Sequence, residues 1–229
     1  MKALAQKWFR VAAYTVGIAF LVAMTAFTGV MLSKVLPYLH FERAAFFLGT
    51  KPDAVLDKLH FTIGFYVHIT TSLVVLALGI TQFLPQITRR WPRTHRLAGQ
   101  LYTAGILLLA APSGLILATY ANGGLPAKVG FSLQCLVWWV VTYLAWREAR
   151  QKRWLKHVEM MIRSYAITLA AMSLRTESYI LYYWFGTKPI ETYVTVTWLS
   201  WVGNLLLAEV LLYTGVASKL LGPALRRSI

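Results

Sequence analysis

Six long apolar stretches constrain this chain more than any other feature. They run at about 11–36, 59–84, 97–120, 127–146, 158–182 and 193–216. A bilayer core about 30 Å thick is crossed by roughly 20 apolar residues in a helix. A backbone in hydrocarbon must satisfy its own hydrogen bonds, and helices do so within one segment. The expected fold is therefore all-α: a polytopic membrane protein with six transmembrane helices in one bundle, a single domain over 1–229. Pro37, Pro85, Pro92, Pro126 and Pro189 fall near the span ends, where a missing backbone donor costs little. Six spans and short loops use the whole length and leave no room for a soluble catalytic domain.

Composition agrees. Apolar residues make up 58% and charged residues 14% of the chain, against about 45–50% and about 25% in ordinary soluble domains. The formal charge of +15 is read as topology, because basic residues gather in cytoplasmic loops. Lys2, Lys7 and Arg10 precede the first span. Arg89, Arg90, Arg93 and Arg96 follow the second, and Arg147, Arg150, Lys152, Arg153 and Lys156 follow the fourth. Lys219, Arg226 and Arg227 close the tail. All fall on one side of a six-span chain, so both termini are expected in the cytoplasm and the protein in a bacterial inner membrane. A nucleic-acid partner is not expected, since no basic soluble module is present. The apolar run from Val11 to about Ser33 exceeds the 7–15 residues of a signal peptide and lacks an A-x-A site, so it is expected to be a retained span. The one long loop on the other side, about 37–58, carries Phe46-Phe47-Leu48-Gly49 and could rest on the membrane surface. Cys135 is the single cysteine, which excludes an internal disulfide and cysteine-held zinc or iron–sulfur sites.

Polar groups inside a membrane need a partner or a task. The second span carries His60, Gly64, His68, Ser72, Gly79 and Gln82 as one stripe, either a close helix seam or a face for a flat cofactor. The third span begins with His95 and continues with Gly99, Tyr102 and Thr103. The fifth begins after His157 and carries Met161, Ser164, Thr168 and Arg175 on one face. His95 and His157 are expected at the same depth, where two histidines can hold a haem iron from both sides. The bland reading leaves them as wet interfacial side chains. Arg163 calls for a carboxylate, either Glu159 or Glu209, as a structural clamp, an anion clamp or the end of a proton path. Arg175 with Glu177 is expected to do the same work nearer the opposite face. No P-loop, G-x-S-x-G, H-E-x-x-H or G-x-G-x-x-G motif occurs.

Two resemblances rest on these residues. Gln82-Phe83-Leu84-Pro85, a basic loop, His95-Arg96-x-x-Gly99-x-x-Tyr102, then His157, Met161-Ile162-Arg163-Ser164-Tyr165-Ala166 and Leu174-Arg175 resemble a bacterial family of predicted membrane proteins of unknown function. The likeness covers about residues 60–180 and implies no activity. More loosely, His68-x10-Gly79-x2-Gln82-x12-His95-x3-Gly99-x14-Gly114 is similar to the transmembrane di-haem cytochrome b and ferric reductase family. That resemblance implies haem b, with His95, His157 and His68 as metal ligands and Gly99, Tyr102 and Arg163 around the cofactor. The family uses four histidines at two depths, and His68 lacks an opposite partner here, so one haem is expected rather than two. The resulting expectation is a haem-binding electron-transfer protein, a candidate membrane oxidoreductase, with quinone and a further membrane subunit or redox partner as its company. Gln82, Glu159, Arg175, Glu177 and Glu209 are structural or proton-handling. The alternative is a non-redox protein: a small transporter, a lipid-binding protein or an accessory subunit.

Overall fold

The computed structural model describes residues 2–43 and 47–221. Phe46, Arg226 and Arg227, and the side chains of Lys2, Lys7, Arg10 and Arg89, lie outside the described residues. The described residues form helices and connecting turns, with no strand. The chain divides into two units, 1–42 and 43–229.

The first unit is one helix, α1 (Lys2–Val35), followed by a 3-10 turn over Leu36–His40. Pro37 lacks an amide hydrogen and cannot extend the α-ladder. Phe41 closes the turn in a left-handed conformation (φ 58°), donating its N–H to the Tyr38 carbonyl.

The second unit begins with the short α2 (Asp53–Leu56) and continues with α3 (Leu59–Gln82) and α4 (Pro85–Arg90). Helix α5 (Pro92–Ala104) passes through a π-helical turn, Gly105–Ala110, into α6 (Ala111–Ala118). Then come α7 (Gly124–Arg150), α8 (Trp154–Thr168), α9 (Ala170–Phe185), α10 (Pro189–Tyr213) and the short α11 (Val216–Leu220). Gly123 starts α7 at φ 85°, a conformation that disfavours a side chain. Glu191 caps α10, accepting the Lys188 N–H at 3.0 Å.

Five segments of the described chain are long and apolar enough to cross a bilayer: Gly17–His40, Leu59–Gln82, Pro92–Ala118, Gly124–Arg150 and Pro189–Tyr213. The expected span at 158–182 is instead two helices, of 15 and 16 residues, broken at Leu169. A side chain supplies the reason. Asn204 of α10 donates Nδ2–H to the Ala166 carbonyl at 3.0 Å and accepts from Ser173 Oγ at 2.9 Å. An amide inserted beside a helix ladder takes over its carbonyls and breaks it. Helix α8 then packs along α7, whereas α9 packs chiefly on α10.

The π turn has a parallel cause. Pro112 cannot donate to the carbonyl four residues back, and its ring crowds it. Freed carbonyls are taken by side chains: His68 Nδ1–H donates to Ala110 O at 2.8 Å, and Trp139 Nε1–H to Leu107 O at 3.0 Å. Backbone irregularity at membrane depth is tolerated where neighbours re-satisfy it in this way.

The core lies where α3, α5, α7 and α8 meet, among Val75, Tyr102, Ile106, Trp138, Ala145, Met161 and Tyr165. Glycine allows the closest crossings. A methyl at Gly130 would stand 2.6 Å from Thr197 Cγ2, and one at Gly105 2.9 Å from Val75 Cγ2.

Candidate functional site

One end of the second unit gathers basic side chains: Arg90, Arg93 and Arg96 around the start of α5, and Arg147, Arg150, Lys152, Arg153 and Lys156 between α7 and α8. Helices α5 and α8 both start from this basic end and run in the same direction. Deep between them, Tyr102 Oη lies 2.9 Å from Ser164 Oγ and 2.9 Å from Thr168 Oγ1. Ser164 also meets Thr142 Oγ1 at 2.7 Å, and Trp138 Nε1–H donates to Thr168 Oγ1 at 3.1 Å. This buried network fixes the relative register of α5, α7 and α8.

That register places the histidines. His95 stands seven residues before Tyr102, and His157 seven residues before Ser164. Seven residues are about two helical turns, or about 10 Å, and return to nearly the same face. The two histidines therefore share one depth and face each other near the basic end. They are close enough for the charge of His157 to act on His95. His157 Nδ1–H donates to the Ala145 carbonyl at 2.8 Å, and its ring meets Trp154 edge-on, with centroids 6.5 Å apart. A histidine anchored through Nδ1 keeps the Nε2 lone pair for a ligand. His95 Nδ1 is buried without a hydrogen-bond partner among the described residues.

The other expected residues are distributed more widely. Tyr102 is fully buried and spends its hydroxyl on Ser164 and Thr168. The Gly79 face, expected to admit another helix or a flat ligand, is filled by the Tyr165 ring, with Tyr102 Cε2 3.1 Å from where a methyl would stand. Phe83 extends this aromatic layer, 5.3 Å from Tyr165 between centroids. Gly99 faces Gln82, whose amide donates to Thr81 Oγ1 at 3.0 Å. His68 lies eleven residues from Gly79 along α3, beyond the aromatic layer from His95. The fold thus unites His95 with His157 and separates both from His68. Among the described residues no group of three or more His, Cys, Asp or Glu side chains is placed to hold a metal ion.

Of the two partners expected for Arg163, Glu209 takes the place. Arg163 Nε and Nη2 donate to its two carboxylate oxygens at 2.6 and 2.8 Å, a two-pronged pair. Glu159 acts on Arg163 only through its charge. Arg175 Nη1–H donates to the Ala171 carbonyl at 2.7 Å, and Glu177 Oε2 is buried without a partner among the described residues.

Sequence reasoning missed Glu148. Its side chain is 4% exposed and pairs with Arg147 at 2.7 Å and Arg153 at 3.3 Å, one turn beyond Ala145. The signal was there: a lone acid inside a run of arginines has a reason to be buried among them. It ties the α7–α8 turn and so supports His157. At the opposite end, Lys51 Nζ donates to Tyr120 O at 2.6 Å and Asn122 Oδ1 at 2.7 Å, and stands 4.7 Å over the Phe47 ring. Burial, and secondarily the charge of Lys128, lower the Lys51 pKa below the usual lysine value.

A sequence family described as predicted membrane protein (DUF2306) matches residues 65–212. That stretch contains His68, His95, His157, Arg163 and Glu209. No curated protein and no solved structure matches the chain. The looser likeness to di-haem cytochromes b gains no support from these comparisons.

Proposed function

The chain belongs to the DUF2306 family of predicted membrane proteins, and on that premise we propose that it is a six-span inner-membrane protein that holds one haem b between His95 and His157 and transfers electrons. Helices α8 and α9 together would form the fifth of the six spans, with both termini in the cytoplasm. The observation that carries the reading is the equal depth and common face of the two histidines, set by the Tyr102–Ser164 hydrogen bond. The donor set fits: two imidazoles, one with Nδ1 held by Ala145 and Nε2 left free, the other with a buried, unpartnered Nδ1. Bound haem would supply one-electron chemistry, tuned by axial ligands, hydrogen bonds and burial.

The chain's own residues then have defined tasks. Ala145 orients His157 through its carbonyl. Glu148 holds the α7–α8 turn through Arg147 and Arg153. Tyr102, Tyr165 and Phe83 close the membrane side of the site to water. Arg163, on the helix that carries His157, and Glu209 of α10 present a paired charge, suited to the polar head of a quinone or to a partner subunit. His68 is set apart by the aromatic layer and serves the π turn.

The test is an absorption spectrum of purified protein, oxidised and reduced, with a pyridine haemochrome assay. One haem per chain with a sharp reduced α-band supports the proposal. A colourless protein after haem-replete expression overturns it and favours a non-redox transport or lipid-binding role. One observation favours that second reading: buried polar atoms without partners lie on α7, α9 and α10, away from the histidine pair.

A further inference from the structure

The break at Leu169 swings α9 onto α10 and leaves an unusual set of polar atoms inside the bundle. Ser173 of α9 pairs with Asn204 of α10 at 2.9 Å, and these two helices run in opposite directions. One turn farther from the basic end, Glu177 on α9 and Ser200 on α10 must therefore stand at the same level. Glu177 Oε2 and Ser200 Oγ are both buried without a partner among the described residues. The next residue of α10, Trp201, leaves its Nε1–H unpartnered too. Helix α7 supplies a fourth. It runs parallel to α10, with Gly130 against Thr197 and Trp198, so Gln134 comes level with Trp201 one turn on. Gln134 Oε1 is also buried and unpartnered. Ser200 is 0% and Trp201 7% exposed.

Four orphaned polar atoms at one level do not arise from apolar packing. Each would carry the desolvation cost of an unmade hydrogen bond, and buried water is the usual remedy. The donors and acceptors are mixed: an indole N–H, a hydroxyl, a carboxylate oxygen and an amide oxygen. That set suits water, which gives and takes hydrogen bonds, better than a cation or an anion. The set also has an approach. From Ser200 the face of α10 runs along α9 through Ser173–Asn204, then along α8 past the Ala166 carbonyl to Arg163–Glu209, where the Glu209 side chain is 52% exposed. Membrane proteins that carry protons use such files of carboxylates and hydroxyls.

We propose that α10, at the level where α7 and α9 each pack on it, bounds an internal water site. It exchanges protons with the aqueous phase of the basic end along the seam of α10 with α9 and α8, with Glu177 as the proton-binding group. The proposal does not depend on His95, His157 or any bound cofactor.

Thiol accessibility tests it, because alkylation needs a thiolate and hence water. Cys135 is a built-in control. It neighbours Gln134 in the chain but faces Gly114 and His68, and it is buried. The experiment places Ser200→Cys in full-length protein in native membranes and follows alkylation by a small hydrophilic maleimide or methanethiosulfonate. Cys135→Ala serves as the parent for the new thiol, and the unmodified chain reports on Cys135. Ser200→Cys is expected to react at least about tenfold faster than Cys135. Asn204→Leu, which plugs the seam, should cut that rate toward the Cys135 level. Equal, slow reaction at both thiols in a folded protein overturns the proposal, as does a fast rate untouched by Asn204→Leu. Gln134→Cys repeats the test from α7 if Ser200→Cys does not fold.

Discussion

Tyr102 Oη and Ser164 Oγ meet at 2.9 Å in the centre of the bundle, and that hydrogen bond sets the register of two helices that are 62 residues apart in the chain. The common depth of His95 and His157 follows from it. Tyr102→Phe keeps the ring and removes the hydroxyl, leaving Ser164 and Thr168 short of a partner. The expected cost is about 1–3 kcal/mol. Thermal denaturation in mild detergent checks it, and an unchanged midpoint contradicts a central role for the network.

Gly79 and Gly203 separate packing from helix propensity. A methyl at Gly79 runs into the Tyr165 ring, whereas one at Gly203 finds only Leu199 Cδ1 at 3.9 Å. Gly79→Ala should destabilise by about 1–3 kcal/mol through overpacking. Gly203→Ala should be neutral or stabilise by up to about 1 kcal/mol. Comparing denaturation midpoints of the two variants decides it; similar losses at both sites would mean the aromatic layer yields easily.

Asn204 serves the broken helix twice, so Asn204→Ala should cost more than Ser173→Ala. The first strips both Ala166 O and Ser173 of a partner; the second leaves the bond to the carbonyl intact. Expected losses are about 1–3 kcal/mol and about 1 kcal/mol. Amide exchange around Leu169 should also quicken in Asn204→Ala alone. The reverse order of stability would locate the cause of the break elsewhere.

The histidines divide by place. His95→Ala and His157→Ala should each abolish the haem spectrum of the folded protein, while His68→Ala keeps it and instead loosens the π turn, where Ala110 O loses its imidazole donor and keeps only the longer bond from Ser113 Oγ. Haem content per folded chain is the readout. Haem retained in both His95→Ala and His157→Ala removes the pair as its seat.

Lys51 gives a pH signature. Its pKa in the folded protein is lowered by burial, so over the interval between that value and the usual lysine value the unfolded chain binds more protons. Stability from this group must then rise with pH across that interval. The difference in denaturation midpoint between wild type and Lys51→Met should grow in favour of wild type as pH is raised toward the usual lysine value. A flat or falling difference would mean the ammonium is not penalised where it sits.

The sequence by itself determined the class. Apolar stretches of spanning length admit only helices whose backbone groups are satisfied internally, and basic loops mark one end, so an all-helical membrane protein was legible from residue types alone. The residues that matter at the basic end were legible too, because a histidine, arginine or glutamate beside hydrocarbon stands out wherever the chain runs. Their partners were not. Glu159 and Glu209 were equal candidates for Arg163 until the crossing of α8 and α10 chose Glu209. The break at Leu169 has no glycine or proline to announce it; it comes from an asparagine 35 residues later, brought alongside by packing. Gly79 reads as an opening in the sequence and is filled in the fold by a tyrosine from another helix. Helix formation depends on neighbours within a turn or two, which a sequence displays. Which side chains meet across a bundle depends on rotation and depth of each helix, and those are set by the summed packing of all of them.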